Sequence, residues 1–223
     1  VRMVFEQVYA TGWLSALIDV FEQDSQAGIA GPMLLYGNGR LQEAGGIVWD
    51  DASGWNYGRM DDPSRPEYCY RREADYVSGA CLLIRAGLWR ELGGFDERYV
   101  PAYYEDTDLC FAARAAGYKV VYQPHSRIYH FEGISHGTDL NAGIKQHQVV
   151  NAERFLEKWR VVLQAEHLPN GEQVFHARDR SWTRRTVLVV DHYVPSYDKD
   201  AGSRSTWQYL QLMVDMGYNV KFI

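Results

Sequence analysis

The sequence predicts an α/β protein, on three observations. Apolar residues recur at helical spacing in several segments, short apolar or β-branched runs bounded by Gly and Asp alternate with them, and the stretch from Thr186 to Ile223 reads strand, helix, strand.

Taken in order, Trp13, Leu14, Leu17, Ile18 and Phe21 repeat at three and four after Gly12, which predicts a one-sided helix ending near Gln26. Gly28 to Leu35 reads as a buried strand, Gly37-Asn38-Gly39 as a tight turn and Leu41 to Trp49 as a second extended stretch, so a hairpin is expected. Asp50 to Arg72 is rich in Gly, Asp, Pro, Arg and Tyr without periodicity and reads as an active-site loop. Asp75 to Arg85 is expected as an apolar strand whose small residues Ser78-Gly79-Ala80 let a ligand approach the backbone, and Ala86 to Leu92 as a short helix closed by Gly93-Gly94. Asp106 to Ala116 has Leu109, Ala112, Ala113 and Ala116 on one face and Gly117 as its stop, and it leads into a strand from Lys119 to Tyr122. A long helix is expected from Asp139 to Ala165, carrying Ile144, Val149, Phe155, Leu156, Trp159 and Leu163. The polar segment 166–185 reads as a linker. Beyond it, Thr186 to Val190, Ala201 to Met216 (Trp207, Leu210 and Val214 inward) and Asn219 to Ile223 form one βαβ unit. One such unit cannot cover both faces of its strands, so the domain starting there is expected to continue.

Composition bounds the function. A chain of 223 residues can build a sizeable core, and 46% hydrophobic with 23% charged residues is a globular balance. The formal charge of −6 offers no basic footprint for nucleic acid, and no run of apolar residues is long enough to span a membrane. Sixteen Tyr and seven Trp exceed what a core needs; such rings stack on sugar faces, and they also serve protein interfaces. Cys69, Cys81 and Cys110 are odd in number and too far apart for a CxxC pair, so a reduced cytoplasm is the expected location.

The chemistry concentrates in Glu105-Asp106-Thr107-Asp108, with His130 on a later extended stretch. Carboxylates at a helix start meet unpaired N–H groups and the dipole, so capping explains them in part. Three acids exceed what one helix start needs, and the aromatic approach Tyr99 to Tyr104 has the form of a ligand-lining loop. A carboxylate with an imidazole suits a general base on a hydroxyl, or ligands for an oxygen-preferring divalent cation.

Val77-Ser78-Gly79-Ala80-Cys81-Leu82-Leu83-Ile84-Arg85, Gly93-Gly94-Phe95-Asp96-Glu97 and Tyr104-Glu105-Asp106-Thr107-Asp108-Leu109 together resemble glycosyltransferase family 2 in order and spacing. The resemblance implies that Asp106 is the catalytic base of an inverting hexosyl- or deoxyhexosyltransferase, with Glu105, Tyr104 and Asp96 on the acceptor side. It implies donor contacts at Ser78, Gly79 and Ala80, and at Ser135 and His136 in a segment that closes over the diphosphate. It implies Mg2+ or Mn2+ with His130 as ligand, His125 being the competing position. The partners implied are a UDP- or dTDP-linked sugar donor and a saccharide acceptor, in cell-surface polysaccharide synthesis, with no nucleic acid and no transmembrane segment. The inner face of the membrane is a compatible location for a peripherally bound parent.

The family's GT-A fold begins with a nucleotide-binding half that ends in an Asp-x-Asp or Asn-x-Asp metal motif just before Gly-Trp-Leu. Here Val4-Phe5-Glu6-Gln7-Val8-Tyr9 precedes Gly12-Trp13-Leu14, with Glu6 its only acid. The expectation is therefore an incomplete GT-A-type (nucleotide-diphospho-sugar transferase) domain over 1–165, lacking its N-terminal half and inactive alone, then the linker, then 186–223. The last resembles the opening βαβ of a GT-B glycosyltransferase, through Asp191-His192-Tyr193-Val194-Pro195 and Asp200-Ala201-Gly202-Ser203-Arg204; a generic Rossmann-like start fits it as well. The alternative is a non-catalytic carbohydrate-binding or scaffold module whose acids only cap a helix. A metal hydrolase finds little support, because no HExxH pattern occurs.

Overall fold

The computed structural model describes residues 7–131, 146–180 and 184–223. The first unit, Val1–Asp179, opens with a short strand β1 (Gln7–Tyr9) and the expected helix α1 (Trp13–Gln23). The helix buries Leu17 and Val20, with Trp13 and Phe21 beside them. Leu14 and Ile18, expected to face inward, are 42% and 41% exposed; the sheet receives a stripe narrower than the apolar spacing suggests.

Strand β2 (Ala27–Leu35) is buried along its whole length, as a central strand should be. A turn with Gly39 at φ 80° returns the chain into β3 (Leu41–Glu43), antiparallel to β2, so the hairpin forms. The expected second strand breaks at Gly45 (φ 72°), and β4 (Gly46–Val48) then pairs with β5 (Gly54–Asn56). The segment 50–72 is therefore not structureless: it holds β5 and a 3-10 turn, Pro66–Tyr68. The strand expected over 75–85 is reduced to β6 (Arg72–Glu73) before it and β7 (Leu83–Ile84) at its end, with a turn at Ser78 between them.

Helix α2 (Ala86–Leu92) stops at left-handed Gly93. A 3-10 turn, Glu97–Tyr99, precedes α3 (Glu105–Ala115), and β8 (Lys119–His130) runs well past Tyr122, where the strand was expected to end. Helices α4 (Gln146–Glu166) and α5 (Val174–Ala177) complete the unit; Asp139 and Ile144 of the expected long helix lie outside the described residues, and Val149 points outward.

The parallel pair β2–β8 is the centre of the sheet. Antiparallel β7 and β3 flank β2, while β6 and β1 flank β8. The β2–β8 register jumps between Pro32, opposite Gln123, and Met33, opposite Arg127. Pro32 and Pro124 have no N–H to give a ladder, so a bulge falls there. Neighbours along a strand face opposite sides. Ile29 and Val120 pack with Leu109, Phe111, Phe155 and Leu163 from α3 and α4, whereas Ala30 and Val121 pack with α1. Helices thus cover both faces of a mixed sheet, and each fully buried side chain such as Phe155 or Leu163 contributes roughly 1.5–3 kcal/mol.

Residues 167–179 do not act as a linker. Leu168, Val174 and Ala177 pack against Ile47 and Trp49, and His167 meets the Val48 carbonyl at 2.7 Å while its ring stacks on Phe111. The second unit, Arg180–Ile223, contains β9 (Thr186–Val189), α6 (Ala201–Asp215) and β10 (Asn219–Phe222), the two strands pairing in parallel. Asp200 caps α6 by accepting from the Ser203 N–H at 2.7 Å. Trp207 and Val214, expected inward, are exposed. Among the described residues no helix is long and apolar enough to cross a membrane.

Candidate active site around Asp106

The acidic turn is presented by a strained loop. Tyr103 and Tyr104, side by side, hold φ 76° and 73°. Left-handed backbone costs a bulky residue on the order of 1–3 kcal/mol and persists only where surrounding structure imposes it. Here buried Asn151 of α4 imposes it: its Nδ2 donates to the carbonyls of Tyr99 (2.8 Å), Ala102 (2.8 Å) and Tyr103 (3.0 Å). The Tyr104 hydroxyl donates to the Ala52 carbonyl at 3.0 Å, and its ring lies against Phe155.

The three acids then have three situations. Asp108 is buried; its Oδ1 accepts from the Tyr99 hydroxyl (3.0 Å) and Trp159 Nε1 (2.7 Å), and its Oδ2 meets Lys158 Nζ at 2.7 Å. It ties α3 to α4 and to the 3-10 turn. Glu105 is half-buried, with Oε2 enclosed and unbonded; burial and then the Asp106 charge hold its carboxyl above the usual range, against opposing backbone N–H groups. Asp106 faces the small-residue turn. Its Oδ2 accepts the Gly79 N–H at 2.7 Å, and its Oδ1 accepts the Thr107 N–H at 2.7 Å and hydroxyl at 3.2 Å.

Ser78, Gly79 and Ala80 form that turn, each N–H already directed: Ser78 to Glu43 Oε1 (3.0 Å), Gly79 to Asp106, Ala80 to the Ser78 hydroxyl (3.2 Å). A Cβ on Gly79 would lie 3.2 Å from Asp106 Cβ, so a side chain there would press on the carboxylate. The fold thus brings Asp106 together with Gly79, from segments expected to form one site.

Asp96 has different company. It caps the 3-10 turn through the Arg98 N–H (3.0 Å) and pairs with Lys158 Nζ (2.9 Å) and Arg98 Nε (2.9 Å). Burial pushes its carboxyl up, but those bonds and charges outweigh it and leave it below the usual range. Lys158 therefore joins Asp96 to Asp108 in one ionic network.

His130 ends β8, and its Nδ1 lies 3.2 Å from Gln42 Oε1. That oxygen accepts, so Nδ1–H is the donor in this contact. His125 is exposed in the bulge. Ser135, His136 and Glu6 lie outside the described residues. Among the described residues no three His, Cys, Asp or Glu side chains form a group that could hold a metal ion.

Sequence reasoning missed Glu43, a buried acid whose Oε2 has no hydrogen-bond partner and whose carboxyl is pushed up to about 8, by burial first. The signal was present as an acid inside the extended stretch from Leu41 to Trp49. It missed Asn151 and Lys158 too, whose roles depend on what α4 faces.

The sequence profile of a family described as glycosyltransferase like family 2 matches residues 5–148. An N-acetylglucosaminyl-diphospho-decaprenol L-rhamnosyltransferase of Mycobacterium tuberculosis is 28% identical over 174 residues, 70% of this chain and 55% of its own length. An uncharacterized protein of Sinorhizobium fredii is 30% identical over 59% of this chain and 15% of its own length. An O-antigen biosynthesis protein of Myxococcus xanthus is 29% identical over 60% and 11%. The chain thus spans about half or less of the length of these relatives. The crystal structure of GalNAc-T7 with UDP, GalNAc and Mn2+ aligns over 69% of this chain and 30% of its own, with TM-score 0.48 and 16% identity.

Proposed function

The chain belongs to glycosyltransferase like family 2, and from that premise we propose that it transfers a sugar with inversion from a UDP- or dTDP-linked donor to a saccharide acceptor, Asp106 being the general base. The observation that carries the reading is the placement of Asp106. Of the two aspartates in the turn, Asp108 is buried and its oxygens are taken by Lys158, Trp159 and Tyr99, whereas Asp106 is only partly buried and is held by the Gly79 and Thr107 N–H groups beside the Ser78–Ala80 turn.

In the proposed reaction Asp106 takes the proton of the acceptor hydroxyl as its oxygen bonds to the anomeric carbon. The bond from that carbon to the diphosphate oxygen breaks, and the nucleoside diphosphate leaves with the electron pair. The Gly79 and Thr107 N–H groups hold the carboxylate in one orientation, which keeps the base in line with the acceptor. Glu105 and Tyr104 are proposed to contact the acceptor; Asp96 belongs to that side through the Lys158 network. Ser78, Gly79 and Ala80, with Ser135 and His136, are proposed on the donor side.

A divalent cation, Mg2+ or Mn2+, would neutralise charge on the leaving diphosphate. His130, with Gln42 fixing its tautomer, suits one ligand position. Among the described residues no three-ligand group surrounds it.

The L-rhamnosyltransferase and O-antigen names of two relatives support a place in cell-surface polysaccharide synthesis. The Arg180–Ile223 unit, with its Asp200-capped helix, is read as the opening of a GT-B-like module.

The test is Asp106→Asn in the intact protein, with product followed by NMR. The amide cannot accept a proton, so turnover should fall by roughly 100-fold or more. Undiminished turnover would remove Asp106 from the role, and a product that keeps the donor's anomeric configuration would remove inversion.

A further inference from the structure

We propose that Glu43 is a positioning residue for Asp106, a buried carboxyl group that holds the Ser78–Gly79 turn so that the Gly79 N–H meets the Asp106 carboxylate. Its meaning for catalysis rests on Asp106 being the base.

Two successive N–H groups of one turn are claimed by two acids from different elements. The Ser78 N–H goes to Glu43 Oε1 on β3 at 3.0 Å, and the Gly79 N–H goes to Asp106 Oδ2 on α3 at 2.7 Å. A shift of the turn on the Glu43 side moves the peptide that grips Asp106. The second observation is Glu43 Oε2, enclosed and without a hydrogen-bond partner in a residue 1% exposed. A buried carboxylate with one N–H for compensation is costly, and the environment favours the neutral acid.

The groups facing it are of one character. Asp106 and Cys110 approach from α3, Tyr76 from the segment after β6, and Tyr122 from β8. Arg72 on β6 directs its guanidinium to the carbonyls of Ala44 and Arg178. Burial first, then the Asp106 charge, against the Ser78 N–H, pushes the Glu43 carboxyl up to about 8. In neutral form its carbonyl oxygen takes the Ser78 N–H and Oε2 carries the proton. The pair then bears one negative charge, on Asp106, and adds no second charge where an anionic diphosphate is proposed to develop.

The experiment uses the intact protein and has a spectroscopic and a kinetic arm. Infrared spectra from about pH 6 to about pH 10 should show a protonated-carboxyl C=O band lost around about 8 and absent in Glu43→Gln. In Asp106→Asn its midpoint should move down, because the charge that holds the proton on Glu43 is gone. In the kinetic arm, nucleoside diphosphate release is measured with whichever UDP- or dTDP-sugar gives the highest wild-type turnover. Glu43→Ala should lower kcat by about tenfold or more, and Glu43→Gln should recover most of that loss while abolishing the rate change near the Glu43 midpoint.

A band indifferent to Glu43→Gln, or a midpoint unmoved in Asp106→Asn, overturns the inference. These readouts decide it even where Glu43→Ala does not fold. An inactive Asp106→Asn beside a Glu43→Ala enzyme with wild-type kcat also overturns it, and leaves the base assignment standing. A fully active Asp106→Asn whose Glu43 midpoint has moved overturns the base assignment alone.

Discussion

The Gly79 N–H donates to Asp106 Oδ2 at 2.7 Å across 27 positions of sequence, and the absence of a Cβ on Gly79 leaves the carboxylate uncrowded there. Gly79→Ala would place a carbon 3.2 Å from Asp106 Cβ. The expected cost in stability is about 1 kcal/mol, as for modest overpacking. Turnover should fall about tenfold or more, because the displaced group is the proposed base. A melting curve set against kcat checks both; a large stability loss with unchanged kcat would contradict the placement.

Asp108 should behave as a structural acid. Asp108→Asn leaves Lys158 facing an amide and disturbs the bonds from Trp159 and Tyr99. Breaking one partner of a largely buried ion pair costs about 3 kcal/mol, and the partial exposure of Lys158 places this case at or below that figure. Urea denaturation reads the loss. Lys158→Met, which leaves the buried Asp108 carboxylate without its cation, should cost at least as much.

Asn151→Ala removes the donors for three carbonyls at once. Roughly 2–3 kcal/mol of stability should go with them, as for buried groups left unsatisfied. The Tyr103–Tyr104 backbone is then free to leave the left-handed region, so hydrogen exchange at residues 102–106 should rise more than at β2 or β8.

Stability should depend on pH through Glu43. Its carboxyl ionises near 4.5 when free and at about 8 in the fold. Between those values the folded chain keeps a proton that the unfolded chain has released. The contribution is fully present below about 4.5, is lost progressively as pH rises to about 8, and is constant above. The span is on the order of 5 kcal/mol. Glu43→Gln lacks the titration, so chemical denaturation should show its stability relative to wild type improving as pH rises through that window.

The helices and the central strands were legible because their signals are local. Apolar spacing marks α1 and α3, β-branched and apolar runs mark β2, and Gly39, Gly93 and Gly117 mark stops by taking left-handed backbone. The boundaries that failed depend on pairing. Strand β8 continues past Tyr122 because β2 and β1 offer it partners, and the expected 75–85 strand collapses to a turn because the Ser78 and Gly79 N–H groups go to carboxylates instead of a neighbouring strand. Residues 167–179 look polar in sequence, yet Trp49 and Ile47 give Leu168, Val174 and Ala177 a surface to cover.

By itself the sequence marked the candidates for the chemistry, Glu105, Asp106, Asp108, the Ser78–Ala80 stretch and His130, through residue type, order along the chain and the family resemblance these carry. Only the tertiary structure decided how the acids divide their work. Asp108 became a buried strut because Lys158, Trp159 and Tyr99 reach it, Asp106 became the one held at the small-residue turn, and Glu43 reached the same turn from β3, 35 positions away in sequence. The physical reason is that a carboxyl group's role follows from its desolvation and its donors, and both are supplied by residues distant in sequence.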